Sequence, residues 1–200
     1  MSRSSVVERA TAETDIRVRI DLDGTGKVTV ETPIGFLDHL LTLFGRHALI
    51  DLEVRVSGDV HVDEHHSVED TALVLGRAID DALGERAGIR RYGDMRLPMD
   101  EALALCAVDL GGRAYSDVEP RPAPLSGGNV WLELWPHFVE TLAREARASV
   151  HLEVRAARST HHLVEGGVKS LARALRQAWE PDPRLIGATD AVPSSKGTMR

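Results

Sequence analysis

Hydrophobic positions along this chain follow two periods that take turns and then begin again. Over residues 16–21, Ile16, Val18 and Ile20 alternate with Arg17, Arg19 and Asp21, the period of two that turns one face of a strand inward. Further on, Val68, Ala72, Leu75, Ile79 and Leu83 are spaced as on a helix with one buried face, and the stripe returns as Val164, Val168, Leu171, Leu175 and Trp179. Shorter helical segments are predicted at 36–44 and 132–146, and strands at 51–56 and 149–154. The run from Leu103 to Leu110 is more continuously apolar, which predicts a more deeply buried strand.

These patterns are two copies of one unit. A shift of 88 residues pairs Glu13 with Glu101, Asp21-Leu22 with Asp109-Leu110, Gly24 with Gly112, and Val30-Glu31 with Val118-Glu119. A shift of 96 pairs His65-His66-Ser67-Val68-Glu69 with His161-His162-Leu163-Val164-Glu165. The fold class expected is therefore α+β, an internally duplicated β-β-α-β-α half-domain at 1–84 and again at 100–181. Each half should form an antiparallel sheet with one face covered by two helices. The halves should pack helix layer on helix layer, leaving the helices between two sheets. Residues 85–99, broken by Gly88, Gly93 and Pro98, are expected to be a linker, and 120–129, with three prolines and two glycines, a loop. The tail at 182–200 lacks periodicity, so it is expected to be disordered or ordered by a ligand.

Composition narrows the class. A hydrophobic fraction of 42% and a charged fraction of 28% suit a globular protein, and no run of about 18 apolar residues exists to span a bilayer. The formal charge of -7 argues against general nucleic-acid binding, while leaving room for a local basic pocket for one phosphate. The N-terminus has no apolar signal core and the lone Cys106 has no intrachain partner, so the cytoplasm is the expected home.

Chemistry concentrates in the histidines, four of which form the pairs His65-His66 and His161-His162. Residues four apart on a helix share a face, whereas neighbours differ by about 100°. His65 with Glu69, or His161 with Glu165, suits one metal, while His66 and His162 point elsewhere, so each helix offers ligands to two sites. Reciprocal exchange between the two helices then builds two equivalent sites. The repeat supplies a further imidazole for each, since His39 in Asp38-His39-Leu40 is the counterpart of His137 in Pro136-His137-Phe138. Three imidazoles and a carboxylate, with positions left for water or substrate and no thiolate, favour manganese, iron or cobalt over closed structural zinc. His61 and His151 have no counterparts and are expected to be surface or strand histidines. Gly166-Gly167 inside the second helix costs roughly 1 kcal/mol per glycine relative to alanine, so that helix start is expected to be looser.

Four stretches, Leu22-Asp23-Gly24-Thr25-Gly26, Ile34-Gly35-Phe36-Leu37-Asp38-His39, His65-His66-Ser67-Val68-Glu69-Asp70 and Pro98-Met99-Asp100-Glu101-Ala102-Leu103, resemble imidazoleglycerol-phosphate dehydratases. The resemblance runs from about Glu8 to Gly197 and has no added phosphatase domain, as in the monofunctional form. It implies dehydration of D-erythro-imidazole-glycerol phosphate to imidazole-acetol phosphate in histidine biosynthesis. It also implies two manganese ions per subunit, one on His39, His66, His161 and Glu165 and the other on His65, Glu69, His137 and His162. It further implies a homo-oligomer of 24 subunits with sites at subunit interfaces, and Glu13 as catalytic acid/base and substrate contact. His47, Arg91, Arg113, Lys169, Ser194, Ser195 and Lys196 are nominated for the substrate and its phosphate, with the tail contributing to that site. The proton at C2 is not beside a carbonyl; the resemblance implies that metal acidifies the imidazole N–H, so that the ring can expel the C3 hydroxyl through a diazafulvene-like intermediate. Two other readings share the ligands: a di-metal phosphoester hydrolase, and a metal-binding assembly protein without catalysis.

Overall fold

A computed structural model of the chain describes residues 3–119, 130–185 and 191–199. The first half contains β1 (Ser4–Ala10), β2 (Thr14–Asp21), β3 (Val28–Glu31), α1 (Gly35–Ala48), β4 (Asp51–Gly58) and α2 (His65–Leu83). The second repeats it as β5 (Tyr92–Met99), β6 (Ala102–Asp109), β7 (Tyr115–Glu119), α3 (Trp131–Glu145), β8 (Ser149–Ala156) and α4 (Thr160–Trp179). The duplicated β-β-α-β-α unit is thus present, with one extra strand ahead of each copy. The expected loop at 120–129 lies outside the described residues.

Each half forms a four-stranded sheet, in the orders β1-β2-β4-β3 and β5-β6-β8-β7. The sheets are mixed rather than purely antiparallel, because β3 pairs parallel with β4 and β7 parallel with β8. A helix joins each of these pairs, and a crossover through a helix delivers the next strand in the same direction. The helices lie between the sheets: α2 covers β1 and β2, α4 covers β5 and β6, α2 packs on α3, and α1 packs on α4.

The predicted stripes are what these layers bury. Val68, Ala72, Leu75 and Ile79 of α2 and Val164, Val168, Leu171, Leu175 and Trp179 of α4 all sit in the core, as do Ile16, Val18 and Ile20 of β2. Strand β6 is not more deeply buried than its counterpart. It alternates as β2 does, with Ala102, Ala104, Cys106 and Val108 inward and Leu103 and Leu105 only half-buried, because one face of the sheet remains outside. Burial pushes the Cys106 thiol above its ordinary range, so it is an inert core residue.

Two segments differ from expectation. The linker at 85–99 is largely strand, since Tyr92–Met99 is the edge strand β5; an edge position tolerates Pro98. Gly93 is there for packing, as a Cβ would meet the carbonyl oxygen of Ala174 at 2.0 Å. Before it, Arg86 is buried and donates to the carbonyls of Leu110, Ala146 and Arg147 and to Asp80, which also accepts from Arg147. One guanidinium thereby satisfies otherwise unpaired carbonyls at the C-terminal end of α3 and ties it to α2. Helix α4 runs unbroken through Gly166-Gly167, and Gly167 lets the Trp135 ring lie 3.1 Å from where a Cβ would stand.

Candidate metal centre

Both histidine pairs open a helix. The Asp63 carboxylate accepts the His65 backbone N–H at 2.8 Å, and Ser159 Oγ accepts that of His162 at 3.1 Å, so short polar side chains start α2 and α4 at equivalent places. From those starts the first histidine and the glutamate four residues on share a face. Each face meets a histidine from the other half of the chain.

His39 of α1 joins His161 and Glu165 of α4, and His137 of α3 joins His65 and Glu69 of α2; within each group the ligand atoms lie within 4.8 Å of one another. Glu165 Oε2 is 3.0 Å from His39 Nε2 and 2.9 Å from His161 Nε2. In the second group Glu69 Oε2 is 3.5 Å from His65 Nε2, and Glu69 Oε1 is 3.3 Å from His137 Nε2. Donors about 2.0 to 2.2 Å from a shared first-row ion stand roughly 3 to 4 Å apart, which matches these spacings. His137 Nε2 is the more telling atom, being buried and lacking a hydrogen-bond partner although it faces the carboxylate. A buried imidazole nitrogen aimed at a convergence point without a hydrogen bond fits a metal ligand. His39, His65 and His161 are 41%, 46% and 54% exposed, so both groups open outward.

Burial opposes ionisation of Glu165, but hydrogen bonds from Lys169, His39 and His161 outweigh it and hold its carboxyl at about 2. Lys169 Nζ donates to Glu165 Oε1 at 2.5 Å, one turn along the same face.

His66 and His162 stand outside these two groups, and each is held by a carboxylate through Nδ1. His66 Nδ1 is 3.2 Å from both oxygens of Asp59, which raises its pKa, and 4.0 Å from Glu13 Oε2. His162 Nδ1 is 2.9 Å from both oxygens of Glu101. Glu101 also accepts the Arg158 backbone N–H, and that bond followed by the one to His162 holds its carboxyl at about 2. Asp100, Glu101 and His162 form a third set of close ligand atoms, but the doubly close carboxylate contact is that of an N–H donor with its acceptor. Asp59 and Glu101 escaped the sequence reading as histidine partners, although the pairing of Glu13 with Glu101 in the repeat was a signal.

The profile of the imidazoleglycerol-phosphate dehydratase family matches residues 32–175. The chain belongs to that family. Imidazoleglycerol-phosphate dehydratases of Kineococcus radiotolerans and Salinispora tropica are 48% and 49% identical to it over 203 and 206 aligned residues, with all of each chain covered. Among solved structures, the Staphylococcus aureus dehydratase superposes with a TM-score of 0.77 at 31% identity, covering 90% of this chain and 99% of that one. The Pyrococcus furiosus enzyme, solved in complex with (S)-C348, gives 0.78 at 34% identity, covering 96% and 99%. Two four-stranded mixed sheets with helices between them are accordingly the fold of this dehydratase family.

Of the remaining site residues expected from the family, Glu13 and His47 stand near the histidines, whereas Arg91 bonds through its backbone to Ala178 at the far end of α4 from Glu165. Glu13, between β1 and β2, is 56% exposed and stands beside His66. His47, on α1, has its pKa lowered by burial and then by the charges of Lys169 and Arg173, which places it near the Glu165 group. Arg91 is committed: it grips both oxygens of Asp109 and donates to the Pro193 carbonyl at 2.8 Å. That bond and one from Gly88 N–H to Ala191 at 2.9 Å moor the segment carrying Ser194, Ser195 and Lys196. The described part of the tail is thus ordered by the chain itself, while 186–190 lie outside the described residues. Arg113 is exposed beyond the end of β6. Exposed His151 of β8 lies against Tyr115, and His61 is exposed in a loop, as expected for histidines without a repeat counterpart.

Proposed function

We propose that this chain dehydrates D-erythro-imidazole-glycerol phosphate to imidazole-acetol phosphate, in the cytoplasm, using two manganese ions per subunit. The observation that carries the reading is the pair of repeat-related groups His39/His161/Glu165 and His65/Glu69/His137, each drawing on both halves of the chain. Three neutral donors and one carboxylate each, with no sulfur ligand, suit manganese, and the fourth ligands would be His66 and His162. Since these two stand outside the groups within one chain, a neighbouring subunit is the natural donor, in keeping with assembly into a 24-mer whose sites lie at subunit interfaces.

Manganese, when bound, supplies a Lewis acid that favours the imidazolate form of the substrate ring. The chain does the rest. Glu13, exposed and next to His66, takes the C2 proton after the ring has expelled the hydroxide from the carbon beside it, that proton and the hydroxide together making the water lost, and the resulting enol passes to the ketone. Lys169 fixes the orientation of Glu165, and His47, held towards its neutral form, is a hydrogen-bonding contact for a polar substrate. Arg113, Lys196 and the hydroxyls of Ser194 and Ser195 supply the phosphate contacts, and Arg91 places the serine-lysine segment.

Purified protein assayed with imidazole-glycerol phosphate and with a generic phosphate ester, with and without manganese, tests this. Manganese-dependent loss of water from the first substrate alone, at two bound ions per chain, is expected. Hydrolysis of the ester would indicate a di-metal hydrolase, and metal binding without turnover a non-catalytic metal-binding protein.

A further inference from the structure

The two halves are not equivalent around their second histidines. Glu13 and Glu101 are repeat counterparts, as are His66 and His162, yet Glu101 is bound to its histidine and Glu13 is not. In the first half the histidine is taken by Asp59, the residue directly after β4. The residue directly after β8 is Ala157, which has no carboxylate to offer.

We propose that Asp59 and Glu101 are interchangeable positioning residues, each fixing the second histidine of a pair through Nδ1, and that Asp59's hold on His66 is what leaves Glu13 uncommitted. A carboxylate only accepts, so the histidine Nδ1 carries the proton and its lone pair stands on Nε2, the atom that would then be free to bind a metal. Glu13 at 4.0 Å is the next acceptor in line for His66, and its greater exposure, 56% against 22% for Glu101, follows from not being used. The duplication has therefore kept one task in both halves while giving it to different carboxylates. The carboxylate released in the first half is the one with freedom to move a proton. This assignment rests on the metal-dependent reading above for the purpose of the task, but not for the contacts themselves.

Manganese titration followed by electron paramagnetic resonance, with crystal structures of the variants, tests it. Losing an outer partner of a metal-ligating histidine typically costs about 10 to 100-fold in affinity. Glu101→Ala should lose that much at one of the two sites, whereas Glu101→Gln, which keeps an oxygen for His162 and for Arg158, should stay within a few-fold of wild type. Asp59→Ala should also stay within a few-fold, because Glu13 moves onto His66 Nδ1, and its crystal structure should show that contact near 3 Å. Adding Glu13→Ala to Asp59→Ala should then bring the full loss, although Glu13→Ala alone leaves affinity unchanged. Wild-type affinity in Glu101→Ala, equal losses in Glu101→Ala and Glu101→Gln, or a Glu13→Ala effect that is the same in both backgrounds would overturn the proposal. If wild-type protein bound no manganese, the metal reading would fail, and the Asp59→Ala structure would still decide this inference by where Glu13 goes.

Discussion

Replacing Glu13 by glutamine keeps its size and hydrogen-bonding reach and removes only the ionisable group. Because Glu13 is in neither ligand group, Glu13→Gln should retain two manganese ions and substrate affinity while kcat falls about 10² to 10⁴-fold, or roughly 3 to 5 kcal/mol of barrier. Metal analysis and kinetics on one preparation check this; a kcat within about twofold of wild type would remove Glu13 from the mechanism. Glu165 allows a second test, on metal-free protein. Its folded pKa of about 2 lies below the ordinary 4.5, so it contributes stability that is fully present above 4.5 and is lost as pH falls from there towards 2. Chelated wild type should thus lose Tm between pH 5 and pH 3 more steeply than chelated Glu165→Gln, and parallel curves would contradict the charge network around Glu165. Four of the six residues that converge in the two groups, His65, Glu69, His161 and Glu165, were legible because their spacing is helical and occurs twice. Asp59 was not, since a carboxylate seven residues before a histidine meets it only through the turn between β4 and α2.

Helices and inner strands could be read from the chain because each buries one face, and a buried face imposes a period. Strands β1 and β5 escaped because they are sheet edges: the inward residues of β1 are only half-buried, and β5 contains Gly93 and Pro98, which resemble breakers. The glycines separate packing from propensity. At Gly76 of α2 a Cβ would lie 2.7 Å from the Leu142 carbonyl oxygen and 2.8 Å from Glu145 Cβ, so the residue sets how closely α2 and α3 approach. At Gly166 the nearest atoms to a Cβ are those of Ala102 and Ala104 at 3.9 Å, an ordinary contact. Gly166→Ala should therefore gain about 0.5 to 1 kcal/mol from helix propensity, raising Tm by roughly 1 to 4 °C. Gly76→Ala gains the same propensity and should nevertheless destabilise by about 1 to 3 kcal/mol, because helix backbone must shift. Denaturant or thermal unfolding checks the pair, and a fall in stability for Gly166→Ala would mean that α4 is held by more than its packing on β6.

At the scale of the whole molecule, the duplication was visible in the sequence, and the ligand sets implied by the family resemblance already crossed between the halves; which helices meet to bring them together was not. The repeat suggests two self-similar sites built by exchange between the histidine-bearing helices, but α2 meets α3 and α1 meets α4, so each group combines one helix from each half. Neither half holds either of these two groups by itself, and His66 and His162 remain outside both. If each group takes its fourth ligand from His66 or His162 of a second copy of the chain, as proposed, metal would link subunits as well as serve the reaction. Ligands that bind only the assembled state stabilise it by mass action, by about 2.7 kcal/mol for each site at a free concentration one hundred times Kd. With two ions per chain this term is comparable to the stability of an ordinary domain, about 5 to 15 kcal/mol. Stripping manganese with a chelator should accordingly shift light scattering from one large closed particle to smaller species, and returning manganese should restore the particle together with activity. His39→Ala should shift the balance towards small species even with manganese present. A particle of unchanged mass after complete metal removal would show that contacts between subunits, and not the shared ions, hold the assembly together.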